Sequence, residues 1–286
     1  MITLSSDFGD PYPGAMKGVL LSRTDDRRLV DVSHDLPRGD VRASAFWLRE
    51  LLPYFPPATH LVVVDPGVGT DRHAIVVRAG EHVLVGPDNG VLIPVARRLA
   101  GVPSSADDHD TDLEAYVIDE AGLEAPTPAG SASGGSGVDP DPGRSTFHGR
   151  DVFAPAAAAV AESDGALESI PWLTPLASPV DPRLTEATVD GGDARGEVVT
   201  VDDFGNVITN IPGSVLEDVS EIAVNGEPVP TGVTFSSVES GARVVLVGSH
   251  GYVELDVNDG RGDDTFGLEA GDPVVVEPTE TGGQYR

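Results

Sequence analysis

Residues 62–74 read VVVDPGVGTDRHA, and the way this stretch ends decides the fold class. Three β-branched valines predict the end of a buried strand, which stops on an acid, Asp65, followed by Pro66, Gly67, Gly69 and then Arg72. A strand that ends on a carboxylate, with a turn and a guanidinium close behind, raises the question of whether the acid caps the turn or, as at the carboxyl ends of α/β sheets, serves a ligand.

Outward from this point the pattern repeats. Apolar runs ITLSS, RLVDVSH, HLVVVDPG, AIVVRAG and HVLVGPDNG alternate with the helix-like segments AMKGVLLSRT and ASAFWLRELLPYF. Strands interleaved with helices predict an α/β domain with a largely parallel sheet, placed at residues 1–188. Within it, residues of about 120–144 are dominated by Gly, Ser, Pro and acids and predict a mobile surface loop. STFHGRDVFAPAAAAVAES then returns to order, with Pro155 near the start of an alanine-rich helix, where proline is best tolerated. From about Gly196 the texture becomes GEVVTVDDFGNVITNI, EIAVNGEPV, ARVVLVGSHGYVELDV and DPVVVEP. Short strands with Asn-Gly and Gly-rich turns predict a second domain at residues 195–280, a small antiparallel barrel or sandwich.

The chain has 286 residues and 40% hydrophobic content, enough for these two cores. Its net charge is −29, from 47 acidic and 18 basic residues, and Lys17 is its only lysine. A dispersed acid excess predicts a surface adapted to molar salt, where a Debye length of about 3 Å screens self-repulsion. It argues against nucleic acid as partner, because phosphate binding needs a basic footprint. Cysteine is absent, which excludes disulfides, thiolate metal sites and cysteine nucleophiles. The N-terminus MITLSSDFGD is unlike a signal peptide, and no apolar run reaches the ~18 residues of a membrane span. The expected location is cytoplasmic, in a high-salt cytosol.

Three acids fall at predicted strand ends: Asp7 in SSDFGD, Asp65 in VVVDPG and Asp88 in VGPDNG. Each could cap a turn by accepting backbone N–H groups, but three in one domain point to a site. His148 in STFHGRD sits before a helix start that favours anions, or is a solvent-facing loop residue. Asp202, Phe204 and Asn206 of DDFGNVITN alternate, so a strand would project all three from one face, where ring, amide and acid suit a planar base with a cationic neighbour. The alternative is a bend built on the FGN turn chemistry. His34, Asp35 and Asp40 of SHDLPRGD suggest a metal site only superficially, since too few carboxylates converge there for a hard cation. No metal and no cofactor is expected.

Taken in order, SDFG, GAMKG, VDVSHDLP, YFPP, VVDPGVGT, VGPDNGVL, STFHGRDVFAPAAA and DDFGNVITNI resemble the S-adenosylmethionine hydrolase (adenosine-forming) family, also called the S-adenosylmethionine hydroxide adenosyltransferases. The resemblance covers nearly the whole chain apart from the Gly/Ser-rich insertion. It implies an N-terminal α/β domain joined to a small C-terminal β-barrel, assembled as a homotrimer with sites at subunit interfaces. The substrate it implies is S-adenosylmethionine, split by water into adenosine and methionine. The hydroxide-activating trio falls on Asp65, Arg72 and His148. Asp7 matches the acid that binds the ribose diol, Phe204 and Asn206 match adenine contacts, and Asp202 matches the acid facing the methionine ammonium. Ser249 of GSHGYVEL matches a methionine-carboxylate contact, with Glu254 a further candidate for that pocket. Related halogenases lack the aspartate after the apolar strand and carry Tyr-Ser where this chain has His148-Gly149. The sequence departs from the hydrolase pattern in the insertion before His148 and in the shortened DPYPG after Asp7. Halide-dependent adenosyl transfer and a binding module without turnover are the alternatives. A sensor would need the pocket acids but not the trio.

Overall fold

The computed structural model describes residues 1–102, 113–124 and 147–279. The inserted segment predicted at about 120–144 lies outside the described residues from position 125 onward. The chain divides into two compact units, Met1–Arg183 and Leu184–Arg286.

The first unit is built on one seven-stranded sheet. Its elements run β1 (Ile2–Ser6), α1 (Tyr12–Arg23), β2 (Leu29–Ser33), α2 (Val41–Leu51), β3 (Thr59–Val63), β4 (Ala74–Ala79), β5 (His82–Pro87), α3 (Ile93–Leu99), β6 (Leu113–Ile118), α4 (Ala154–Glu162) and β7 (Leu173–Pro175). The strand order is β2-β1-β3-β5-β4-β6-β7. The first four strands pair in parallel. β4, β6 and β7 add antiparallel strands on the other side. The change of direction has a local cause. Only Gly80 and Glu81 separate β4 from β5, too few residues for a crossover, so that connection is a hairpin.

Because β1 and β3 are buried on both faces, alternate residues feed two cores. Ile2, Leu4, Leu61 and Val63 pack with Met16 and Leu20 of α1 and the alanines of α4. Val62, Val64, Leu84 and Ile75 pack on the opposite face with α2 and α3. The result is a three-layer α/β/α sandwich. Asp40 starts α2 by accepting from the Ala43 N–H at 2.9 Å, and Pro155 lies in the first turn of α4. A π-helical turn, Gly149–Phe153, leads directly into α4.

The second unit is antiparallel: β8 (Thr188–Asp190), β9 (Asp193–Val201), β10 (Val207–Pro212), β11 (Glu221–Val224), β12 (Glu227–Pro230), β13 (Arg243–Val247), β14 (Tyr252–Val257), the short α5 (Gly262–Phe266) and β15 (Pro273–Pro278). The order is β12-β11-β15-β9-β10-β14-β13, with β8 added beside β9. Thr231, just after β12, bridges Val245 of β13, so the two edge strands meet and the sheet closes into a near-barrel. Val198, Val207, Val245, Val253, Leu255 and Val274 fill its interior.

Candidate active site

β1 and β3 are neighbouring parallel strands with Ser6 opposite Val63, so Asp7 and Asp65 emerge at adjacent carboxyl ends. Beyond Asp65 the chain doubles back: the Val68 N–H donates to the Asp65 carbonyl at 3.3 Å, and the Thr70 hydroxyl donates to the Gly67 carbonyl at 2.7 Å. Two successive turns therefore return Arg72 to Asp65 before β4 begins. The guanidinium grips the carboxylate with two donors, Nε to Oδ1 at 2.9 Å and Nη2 to Oδ2. This bidentate fork is the strongest geometry available to the two groups.

His148 enters from a third element, as the residue preceding the π-helical turn. Arg72 Nη2 lies 2.7 Å from His148 Nδ1. A guanidinium can only donate, so Nδ1 accepts and a neutral ring carries its proton on Nε2. The side chains of Asp65 and Arg72 are 6% and 9% exposed, and His148 is buried as well, so the triad sits in a low-dielectric setting that strengthens each contact. The guanidinium also lies 5.1 Å from the centre of the Phe153 ring, a cation–π contact that fixes its plane. Its Nη1 is buried with no partner among the described residues.

A cavity of about 110 Å³ opens in front of this group, lined by Asp7, Phe8, Val63, Asp65, Val68, Phe147, His148 and Gly149. Three of the sequence-predicted residues therefore share one cavity, while Arg72 stands behind Asp65 and His148 and does not line it. Gly149 is closely surrounded by side chains. A Cβ there would come within 2.9 Å of Met16 Sδ and of the Phe147 ring. Phe8, Phe147 and Phe153 were not singled out from the sequence. Phe147 flanks His148, the one signal that could have marked it.

Asp88 ties down a remote segment: its Oδ1 accepts from the Val180 N–H at 2.7 Å. His34 bonds to Ser6 and Asp31, and among the described residues no group of three His, Asp or Glu is arranged to hold a metal.

In the second unit the bend, and not the strand face, is the alternative that forms. Asp202, Phe204 and Asn206 precede β10 and do not alternate along a strand. Asp202 Oδ1 accepts from the N–H groups of Phe204 and Asn206 at 3.0 and 2.9 Å, and Oδ2 accepts from Asn206 Nδ2 at 3.0 Å. Gly205, at φ +89°, supplies the left-handed residue. The turn chemistry of Asp, Gly and Asn outweighed the alternation. It leaves Phe204 78% exposed and the Asp202 carboxylate bonded within the turn. Ser249 is exposed in the turn between β13 and β14. Glu254, buried on β14, accepts from His250 Nε2 at 2.8 Å. Two residues on, Asp256 is fully buried, and among the described residues neither carboxyl oxygen has a bonded partner. Burial, with Glu254 and Asp202 nearby, pushes its pKa up to about 8.

Residues 2–170 match the family model of the SAM hydroxide adenosyltransferase N-terminal domain, and residues 196–275 that of the C-terminal domain. A protein of Salinispora tropica named (R)-S-adenosyl-L-methionine hydrolase is 38% identical over 96% of this chain and 97% of its own length. A protein of Thermus thermophilus with the same name is 40% identical over 94% of this chain and 96% of its own. Fluorinases match at lower identity, 26% for that of Nocardia brasiliensis. The crystal structure of an uncharacterized conserved protein from Thermotoga maritima superimposes with a TM-score of 0.74, at 30% identity, over 96% of this chain and 99% of that one.

Proposed function

The chain belongs to the SAM hydroxide adenosyltransferase family, and from that premise we infer that it is an enzyme that hydrolyses S-adenosylmethionine to adenosine and methionine. The observation that carries this reading is the buried Asp65–Arg72–His148 group beside a cavity that Asp7 also lines.

Attack on the ribose C5′ carbon expels methionine as a neutral thioether from a sulfonium, so the leaving group needs no acid and the catalytic demand falls on water. One water proton must be lost as the C5′–O bond forms and the C5′–S bond breaks. Asp65 is the acceptor in this reading. It faces the cavity, whereas His148 has its Nδ1 occupied by Arg72 and its proton on Nε2. The Nε2–H then donates to the water oxygen and favours hydroxide character. Held between an acceptor and a donor, the water is oriented toward C5′, and orientation can supply part of the ~7–11 kcal/mol available from positioning. Arg72 acts from behind, fixing both partners. Asp7 takes the ribose diol, Phe204 and Asn206 the adenine, and Asp202, Ser249 and Glu254 the amino-acid end.

A halide as nucleophile is disfavoured by the same atoms. Ionised Asp65 repels an anion and accepts from neutral water, and Gly149 carries no side-chain hydroxyl to offer a halide. Candidate substrate residues are divided between the two units, which supports a homotrimer whose sites are completed by neighbouring chains. The net charge of −29 supports a molar-salt environment, and no described helix is long and apolar enough to cross a membrane.

The test is to incubate the protein with each sulfur epimer of S-adenosylmethionine in molar potassium chloride and identify the nucleoside. Adenosine and methionine in equal amounts are expected. 5′-Chloro-5′-deoxyadenosine as main product would establish the halogenase reading, and tight binding without product would establish a sensor.

A further inference from the structure

Asp7 is held by its flanks, and one residue outside the cavity holds both. Ser6, the last residue of β1, is fully buried, and its hydroxyl lies 2.7 Å from His34 Nδ1. The carbonyl of the same His34 accepts from the Gly9 N–H at 2.8 Å. Residue 34 thus pins the chain immediately before Asp7 with its ring and two residues after it with its backbone. The parallel register between β1 and β2 slips just upstream, with Leu4 opposite Asp31 but Ser5 opposite Ser33. Irregularities of this kind re-aim the side chains that follow them.

The ring is itself oriented. His34 Nε2 lies 3.0 Å from Asp31 Oδ1, and Lys17 Nζ donates to Asp31 Oδ2 at 2.6 Å. A carboxylate only accepts, so the Asp31 contact puts the proton on Nε2 and leaves Nδ1 to accept from the Ser6 hydroxyl. Farther along, the Gly39 N–H donates to Asp7 Oδ2 at 2.8 Å, and Oδ1 has no bonded partner among the described residues. The carboxylate is anchored by one oxygen with the other left for a ligand.

We propose that His34 is a positioning residue for substrate recognition: through Ser6, and oriented by Asp31 and Lys17, it sets the Asp7 carboxylate against the ribose diol. The proposal rests on the reading of Asp7 as the diol acid. It assigns the Lys17–Asp31–His34–Ser6 chain to specificity, where a purely structural role would change stability alone.

The test compares S-adenosylmethionine with its 2′-deoxy analogue for the wild type, His34→Phe, His34→Asn and Ser6→Ala, with thermal midpoints measured alongside. The wild type is expected to prefer the natural substrate by at least about tenfold in kcat/KM, because a site that bonds a hydroxyl rejects the ligand lacking it. His34→Phe and Ser6→Ala are expected to bring that preference to within about twofold of unity, through KM, with kcat within about threefold. His34→Asn, whose Oδ1 can accept from Ser6 where Nδ1 did, is expected to keep most of it. Wild-type enzyme without a preference would overturn the diol reading of Asp7 and the proposal with it. A wild-type preference that His34→Phe and Ser6→Ala retain, whatever their thermal midpoints, would overturn the positioning role alone.

Discussion

At the scale of single residues, the proposed chemistry depends on how few protons the buried triad has to share. Asp65 receives two guanidinium donors and His148 receives one. Asp65→Asn removes the proton acceptor and replaces one accepting oxygen with a donor that faces Arg72. His148→Ala removes the donor to water. Each is expected to lower turnover at least ~100-fold while ligand affinity stays within an order of magnitude, measured by single-turnover kinetics and equilibrium binding. Near-full activity of Asp65→Asn would remove that residue from the mechanism. The trio is legible in the sequence through the family resemblance, whereas the residues alone leave Asp65, like Asp7 and Asp88, open to a turn-capping role. What is not legible is rank: Asp88 stands at an equivalent strand end, but its Oδ1 bonds the Val180 amide, which is remote in sequence.

At the scale of elements, two strands carry buried titratable groups that the chemistry does not use. His60, near the start of β3, is fully buried between Thr3 and His82, and burial with the neighbouring His82 lowers its pKa to about 3. Its folded value lies below the ordinary one, so the stability it contributes is present above about pH 6.5 and is lost as pH falls toward 3. Asp256 on β14 is the opposite case. Its folded value, about 8, lies above 3.8, so the folded state holds the proton more tightly and stability declines as pH rises between those values. Asp256→Asn is expected to raise the thermal midpoint at pH 8 by at least about 4 °C, with the gain shrinking toward pH 4. A gain independent of pH would show that the carboxyl is not the source of the cost. Neither group could be ranked from the sequence, since isolation of a side chain is a property of packing. The 202–206 turn is different in kind: its Asp, Gly and Asn residues are visible in the sequence, which leaves a strand face and a bend both open there, and the hydrogen bonds of Asp202 decide for the bend.

At the scale of the whole molecule, the two-part texture of the sequence corresponds to a sandwich of parallel and antiparallel strands and a near-barrel. The proposed homotrimer places Asp7 and Asp65 of one chain opposite Phe204 and Asn206 of another, and gives the 78% exposed Phe204 a ligand to cover. Light scattering in molar salt is expected to give the trimer mass for active protein, and a fully active monomer would refute the shared site. The central claim, that water held at Asp65 and His148 attacks the ribose C5′ carbon, has a direct isotopic test. Single turnover in ¹⁸O-labelled water, followed by mass spectrometry of both products, is predicted to place one ¹⁸O in the 5′-hydroxyl of adenosine and none in methionine. Unlabelled adenosine, or a nucleoside carrying halide in place of that oxygen, would contradict it.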